Sequence, residues 1–127
     1  MENSTMQTRA LSFLLSEASG RRSRATATIP SGTGKVAAGT VLGELTATAG
    51  NFIPSPNVVV VGKEGAETAT AILAYGIDAT TADVAVTIID RDAEAKLPML
   101  SFDASVDDQT KTDAKLAQLN AVGIRAR

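Results

Sequence analysis

From Arg24 onward, Arg24, Thr26 and Thr28 alternate with Ala25, Ala27 and Ile29, the period-two signature of a half-buried strand, and Pro30-Ser31-Gly32 closes it. Lys35 to Thr40 reads as a turn, and β character resumes over 41–47 before the breakers Gly50-Asn51. Pro54-Ser55-Pro56-Asn57 interrupts the chain just after Phe52 and Ile53, because proline removes an amide donor and restricts the residue before it. Val58 to Val61 is a short β-branched run ended by Gly62. Two further strands are predicted over 69–75 and 83–90, the second being the best in the chain. Several short strands separated by turn signals argue for a β-rich domain rather than βαβ units.

The period changes in the last quarter. Leu116, Leu119 and Val122 fall at i, i+3 and i+6 with Ala117 and Ala121 on the same side, which predicts one C-terminal helix. Asp107 or Asp108 is placed to cap it, Lys111 and Lys115 are expected outside, and Gly123 stands where a left-handed cap residue belongs. Ile124 is expected to fold back on the last turn.

The N-terminal end has no such pattern. Residues 1 to about 12 are polar, and Phe13-Leu14-Leu15 is the only concentrated cluster of large apolar residues before Ile29. Those three residues read either as the apolar tip of a flexible arm, disordered until tied down, or as an early strand of the domain itself. In the arm reading the segment adds itself to the sheet edge of another protein. Ser16 to Arg24 then holds Glu17, Gly20 and the basic group Arg21, Arg22 and Arg24, a turn leading into structure.

Composition changes the picture in one respect. Of 127 residues 44% are hydrophobic, but Ala and Val carry most of that fraction, with three Phe, one Tyr and no Trp. Alanine buries little area, so the core is thin and support from an oligomer or a larger partner is expected. The length suits one domain. No basic start followed by an apolar run marks a secretory signal, and no stretch approaches a membrane span.

Candidate chemistry is sparse. The chain has no His and no Cys, so it lacks the two commonest zinc ligands, the usual general base at neutral pH and any thiolate nucleophile. Twelve basic against fourteen acidic residues give net −2, far from a nucleic-acid-binding footprint. Gly32-Thr33-Gly34-Lys35 fails as a phosphate loop, since Ile29 stands where a glycine is needed and Val36 where Ser or Thr is needed. It reads as a turn. Asp90, Asp92 and Glu94 alternate and invite a hard-cation reading, but Arg91 and the missing loop glycine favour a solvated, partly Arg-paired acidic edge. Asp103, Asp107 and Asp108 read as loop and cap residues. No cofactor, metal site or catalytic residue is expected, and an enzyme using the 90–94 carboxylates is the weakest alternative. A small β-clip or barrel module holding a carbohydrate or cell-surface ligand is the runner-up.

Phe13-Leu14-Leu15-Ser16-Glu17-Ala18, then Gly20 with Arg22-Ser23-Arg24, resembles the opening of the phage head decoration family typified by lambda protein D. Residues 38–43 (Ala-Gly-Thr-Val-Leu-Gly), 88–94 (Ile-Ile-Asp-Arg-Asp-Ala-Glu) and 116–124 (Leu-Ala-Gln-Leu-Asn-Ala-Val-Gly-Ile) agree in order and spacing. Together they cover roughly residues 13 to 127. Pro30 and Arg125 depart from the family pattern. The resemblance implies an α+β, β-dominated fold, a small β-barrel or β-tulip-like domain with one C-terminal helix and a flexible N-terminal arm. It further implies a non-enzymatic cement protein on the outer surface of the virion head, trimeric at three-fold and quasi-three-fold sites of the expanded shell. Its partners would be the major capsid protein and two copies of itself, with no nucleic acid, membrane or small-molecule substrate. On this reading residues 1–18 form the capsid-binding arm and 19–127 the decoration domain. Phe13, Leu14, Leu15, Ser16 and Glu17, with Arg21, Arg22 and Arg24, are the expected capsid contacts.

Overall fold

The computed structural model describes residues 11–18 and 23–127. Arg21, Arg22 and most of the expected arm lie outside the described residues. Ten strands are present among those described: β1 (Leu14–Glu17), β2 (Arg24–Ile29), β3 (Gly34–Val36), β4 (Val41–Glu44), β5 (Phe52–Pro54), β6 (Ala69–Leu73), β7 (Ile77–Ala79), β8 (Val84–Ile89), β9 (Ala93–Ala95) and β10 (Ile124–Ala126). A 3₁₀ turn spans Leu97–Met99, and the one α-helix, α1, runs Gln109–Ala121.

A five-stranded antiparallel sheet in the order β2-β8-β6-β4-β5 forms the centre. β4, β6 and the end of β8 are buried on both faces, which explains why β6 and β8 read as nearly unbroken apolar runs rather than as clean alternations. On one face Ala27, Leu42, Leu73, Val86 and Ile88 pack with Val36 and Ala79 of the two-stranded β3-β7 sheet. On the other, Val41, Ile72 and Ile89 meet Phe13, Leu119 and Ile124, contributed by the N-terminal segment, α1 and β10. The latter face is covered by α1 and by a third sheet of order β1-β9-β10, in which β9 and β10 run parallel.

The fold is thus β-dominated α+β with a single C-terminal helix, as the sequence leads one to expect. Its sheets remain open: a lone bridge between Thr28 and Asn51 brings the two edges of the large sheet together without completing a barrel. Two glycines of the 38–43 stretch are required by close approaches. Gly39 sits at φ 86°, and a Cβ there would meet the Met99 carbonyl oxygen at 2.6 Å. At Gly43 a Cβ would fall 2.0 Å from the Ala66 carbonyl oxygen, so only glycine lets the 55–68 connection lie flat on β4.

Several elements differ from the sequence reading. Val58–Val61 forms no strand; it stands in an exposed loop, because prolines before it and glycines after it deny it a sheet neighbour. Short strands β3, β5, β7, β9 and β10 fall in stretches that local pattern reads as turns or ends. The helix is capped by Asp108, whose carboxylate accepts from the Lys111 amide at 2.8 Å, and Gly123 takes φ 85°, both as expected. Its buried stripe, however, is rotated by one position. Lys115 and Leu119 are buried, Leu116 is only half-buried, and Ala117 and Ala121 face solvent. Ile124 does more than fold back, since it opens β10 and is fully buried.

Candidate functional site

Of the two readings of Phe13-Leu14-Leu15, the structure shows the early strand. Phe13 is 0% exposed, and its carbonyl accepts from the Lys96 amide at 2.6 Å. Leu14, Ser16 and Glu17 pair with Ala95, Glu94 and Ala93, with a bulge between Leu14 and Ser16 that breaks the regular alternation. Leu14 is half-buried against the core while Leu15 (47% exposed) and Ser16 face outward. The strand is thereby an edge strand of its sheet that presents an apolar side chain to solvent. The chain enters it at Leu11, whose amide donates to the Ala74 carbonyl at 2.7 Å.

A carboxylate fastens the end of β1 to the start of β2. Glu17 accepts from the Ser23 hydroxyl at 2.7 Å and from the Arg24 guanidinium through Nε at 3.0 Å and Nη2 at 2.6 Å, a bidentate geometry. The Arg24 hydrogen bonds, helped by Ser23, hold the Glu17 carboxyl below its ordinary pKa, and the same bonds raise that of Arg24. Arg24, expected as a capsid contact, is thus engaged within the domain. A depressed carboxylate contributes stability above its ordinary pKa and loses it as pH falls through the folded value. Glu17→Gln is therefore expected to lower the unfolding free energy by at most about 1 kcal/mol at pH 7, since both side chains keep contact with water. Urea midpoints for wild type and variant should converge as the pH is lowered below the ordinary glutamate range; a gap that does not narrow at all with falling pH argues against the ion pair.

The other candidate residues do not converge. Gly32-Thr33 turns the chain into β3, which Gly34 and Lys35 open. Among the described residues Asp90 pairs with the adjacent Arg91 at 3.5 Å, Asp92 occupies a turn at φ 48°, and Glu94 on β9 pairs with Arg127 at 2.8 Å. Among the described residues no group of three or more His, Cys, Asp or Glu side chains is placed to hold a metal ion. No helix among them is long and apolar enough to cross a membrane.

Two features run against the sequence reading, the first being Lys115, expected on the outside of the helix and found buried. The Lys115 ammonium, 1% exposed, donates to Ser55 Oγ at 2.9 Å and to the carbonyls of Pro56 at 2.6 Å and Glu67 at 2.5 Å. Burial pushes its pKa below the ordinary lysine value. The nearby Gln118 side-chain carbonyl accepts from the Ala69 amide at 2.8 Å. Helix α1 thus turns polar side chains inward because it covers the ragged start of β6, where backbone groups lack strand partners. The i, i+4 relation of Lys115 to Leu119 is the only sequence signal for this, and a lysine there reads as solvent-facing. The second feature is the Val58–Val61 loop, with Val61 94% exposed.

The family whose model matches this chain is described as bacteriophage lambda head decoration protein D, and the match spans residues 3–124. No curated protein matched the chain. The chain belongs to the lambda head decoration protein D family, a structural family of phage heads whose place is the capsid exterior.

Proposed function

We propose that this protein binds the outside of the expanded phage capsid as trimers at three-fold and quasi-three-fold sites, and stabilises the shell against the pressure of packaged DNA. It acts without catalysis, and its partners are the major capsid protein and two further copies of itself. The observation that carries this reading beyond family membership is the state of β1: an edge strand, four residues long, with Leu15 and Ser16 facing outward. An unpaired strand edge is a template for pairing with another chain, where backbone bonds supply affinity and outward side chains supply register.

The work of residues 1–18 is then divided. Phe13 and Leu14 anchor the segment to the domain, Glu17 fixes its exit through Arg24, and Leu15 and Ser16 with the residues before Leu11 meet the capsid. Arg21 and Arg22 add a salt-sensitive contact.

Co-sedimentation with expanded and unexpanded heads tests the proposal. Wild type is expected to saturate expanded heads only. Deleting residues 1–10, which leaves the described domain whole, should weaken binding by about tenfold or more, equivalent to about 1.4 kcal/mol. Full occupancy by the truncated protein at wild-type affinity refutes the arm mechanism. Alanine at Arg21 and Arg22 should weaken binding and flatten its salt dependence.

A further inference from the structure

The connection from β5 to β6 is a pinned tongue with an apolar tip. Its incoming limb is fixed at Ser55 and Pro56 by Lys115 and at Asn57, whose amide donates to Ser105 Oγ at 2.8 Å. Its outgoing limb is fixed where the Glu64 carbonyl accepts from the Thr46 amide at 2.9 Å and the Ala66 carbonyl from Ser55 Oγ at 2.6 Å. Between these points a turn, closed by Lys63 N–H donating to the Val60 carbonyl, lifts four valines into solvent. Val58, Val59 and Val61 are 63%, 58% and 94% exposed. Together with Val60 the tip shows on the order of 400 Å² of surface, most of it valine side chain, comparable to the largest apolar patches on soluble monomers, which are often functional. That is about half of the ~800 Å² each partner contributes to a standard interface, so the tip suits the centre of a contact.

The same chain carries an apolar hollow elsewhere. A cleft of about 600 Å³ opens between Val36-Ala37-Ala38 and Gly76-Ile77, and its rim bears Lys35 and Asp78, cross-strand partners on β3 and β7. Its apolar surface comes from Ala37 and the half-buried Ile77, widened by the missing side chain at Gly76, while Val36 and Ala38 are themselves buried. The tongue in turn is flanked by Lys63 and Glu64. One cation and one anion stand beside each feature, and none of the four forms an ion pair among the described residues.

We infer that the Val58–Val61 tongue of one copy docks in the Val36–Ala38/Gly76–Ile77 cleft of a second copy, pairing Lys63 with Asp78 and Glu64 with Lys35. Knob and hollow are different surfaces, so the contact is head-to-tail, and such contacts close into a ring when the rotation between copies permits. The occupant is the same chain because apolar surface and both charge signs are matched within one molecule. Valines need little ordering on contact, having one stiff torsion each and a tip already held at both ends. The inference rests on the trimer reading only in taking the partner to be another copy of this chain.

The test is sedimentation velocity of the full chain over a range of concentrations, with a zero-length carboxyl–amine cross-linker applied free and on heads. Wild type should self-associate and yield intermolecular Lys63–Asp78 and Lys35–Glu64 links. Val59→Asp with Val61→Asp, both at exposed loop positions, should keep the circular dichroism and melting temperature of wild type while weakening association about thirtyfold or more, a hot-spot loss. The swaps Lys63→Glu/Glu64→Lys and Lys35→Glu/Asp78→Lys should each weaken association, and combining them should restore it. If the double-aspartate variant associates like wild type, the tongue is not the contact and the trimer reading stands. A wild type that neither associates in solution nor cross-links on heads overturns the trimer reading together with the tongue.

Discussion

Phe13→Ala is expected to destabilise the domain by about 4 kcal/mol, the upper part of the range for truncating a buried aromatic residue. Phe13 is wholly buried in one cluster with Val41, Ile72, Ile89, Leu119 and Ile124 and with the small residues Ala69, Ala93 and Ala95. Alanines have nothing with which to refill the space, and backbone approach at Gly39, whose added Cβ would lie 3.5 Å from Phe13 Cδ1, leaves no slack there. The void therefore persists, and its lining loses contacts outright. A domain of this size is typically stable by only 5–15 kcal/mol, so the loss is a large share of the whole. Urea unfolding monitored by far-UV circular dichroism measures it. Phe13→Leu, which keeps most of the volume, should cost less than about 1.5 kcal/mol. If Phe13→Ala lies within 1 kcal/mol of wild type, the N-terminal segment is not part of the core. The same variant should bind heads poorly even below its melting temperature, because β1 then loses the anchor that holds Leu15 and Ser16 outward.

Lys115→Ala is expected to cost about 3 kcal/mol, and Lys115→Met about 2 kcal/mol. The difference separates two contributions. Methionine keeps the aliphatic stem and removes only the ammonium, leaving the Pro56 and Glu67 carbonyls and Ser55 Oγ buried without their donor. An unpaired buried acceptor carries its full desolvation penalty, and this dominates the methionine variant. Alanine adds the empty volume of the stem. Both variants should also raise amide exchange across 55–67, since one side chain ties both limbs of that loop to the helix. A methionine variant as stable as wild type shows that desolvating the cation cancels its three hydrogen bonds, as happens for many buried charges.

These two residues mark where sequence reading reaches and where it stops. Arg24–Ile29 was legible because six residues alternate without interruption, and the observed strand has those bounds. The cap at Asp108 and the left-handed Gly123 were legible because each is settled by local backbone geometry. Lys115 was not. A lysine at the edge of a helical stripe looks solvated until the surface opposite it is known, and here that surface offers the Pro56 and Glu67 carbonyls and the Ser55 hydroxyl, 48 to 60 residues earlier in the chain. Val58–Val61 misleads in the other direction. β-branched residues favour a pleated surface, but a strand needs a neighbour, and no strand among the described residues pairs with 58–61. For Phe13, sequence posed the alternatives without the means to choose, because burial depended on Ile72, Leu119 and Ile124 arriving from distant segments.

The sequence by itself determined the β-dominated class, the single C-terminal helix, the thin core and the family, since these follow from short-range period, from composition and from ordered motifs. Tertiary structure alone decided that Phe13 lies inside, that Arg24 is held by Glu17, that a lysine is buried and that four valines are exposed. Each of those outcomes turns on which backbone groups and apolar side chains of remote segments are left without a partner, and a partner's absence is invisible to any local window of the chain.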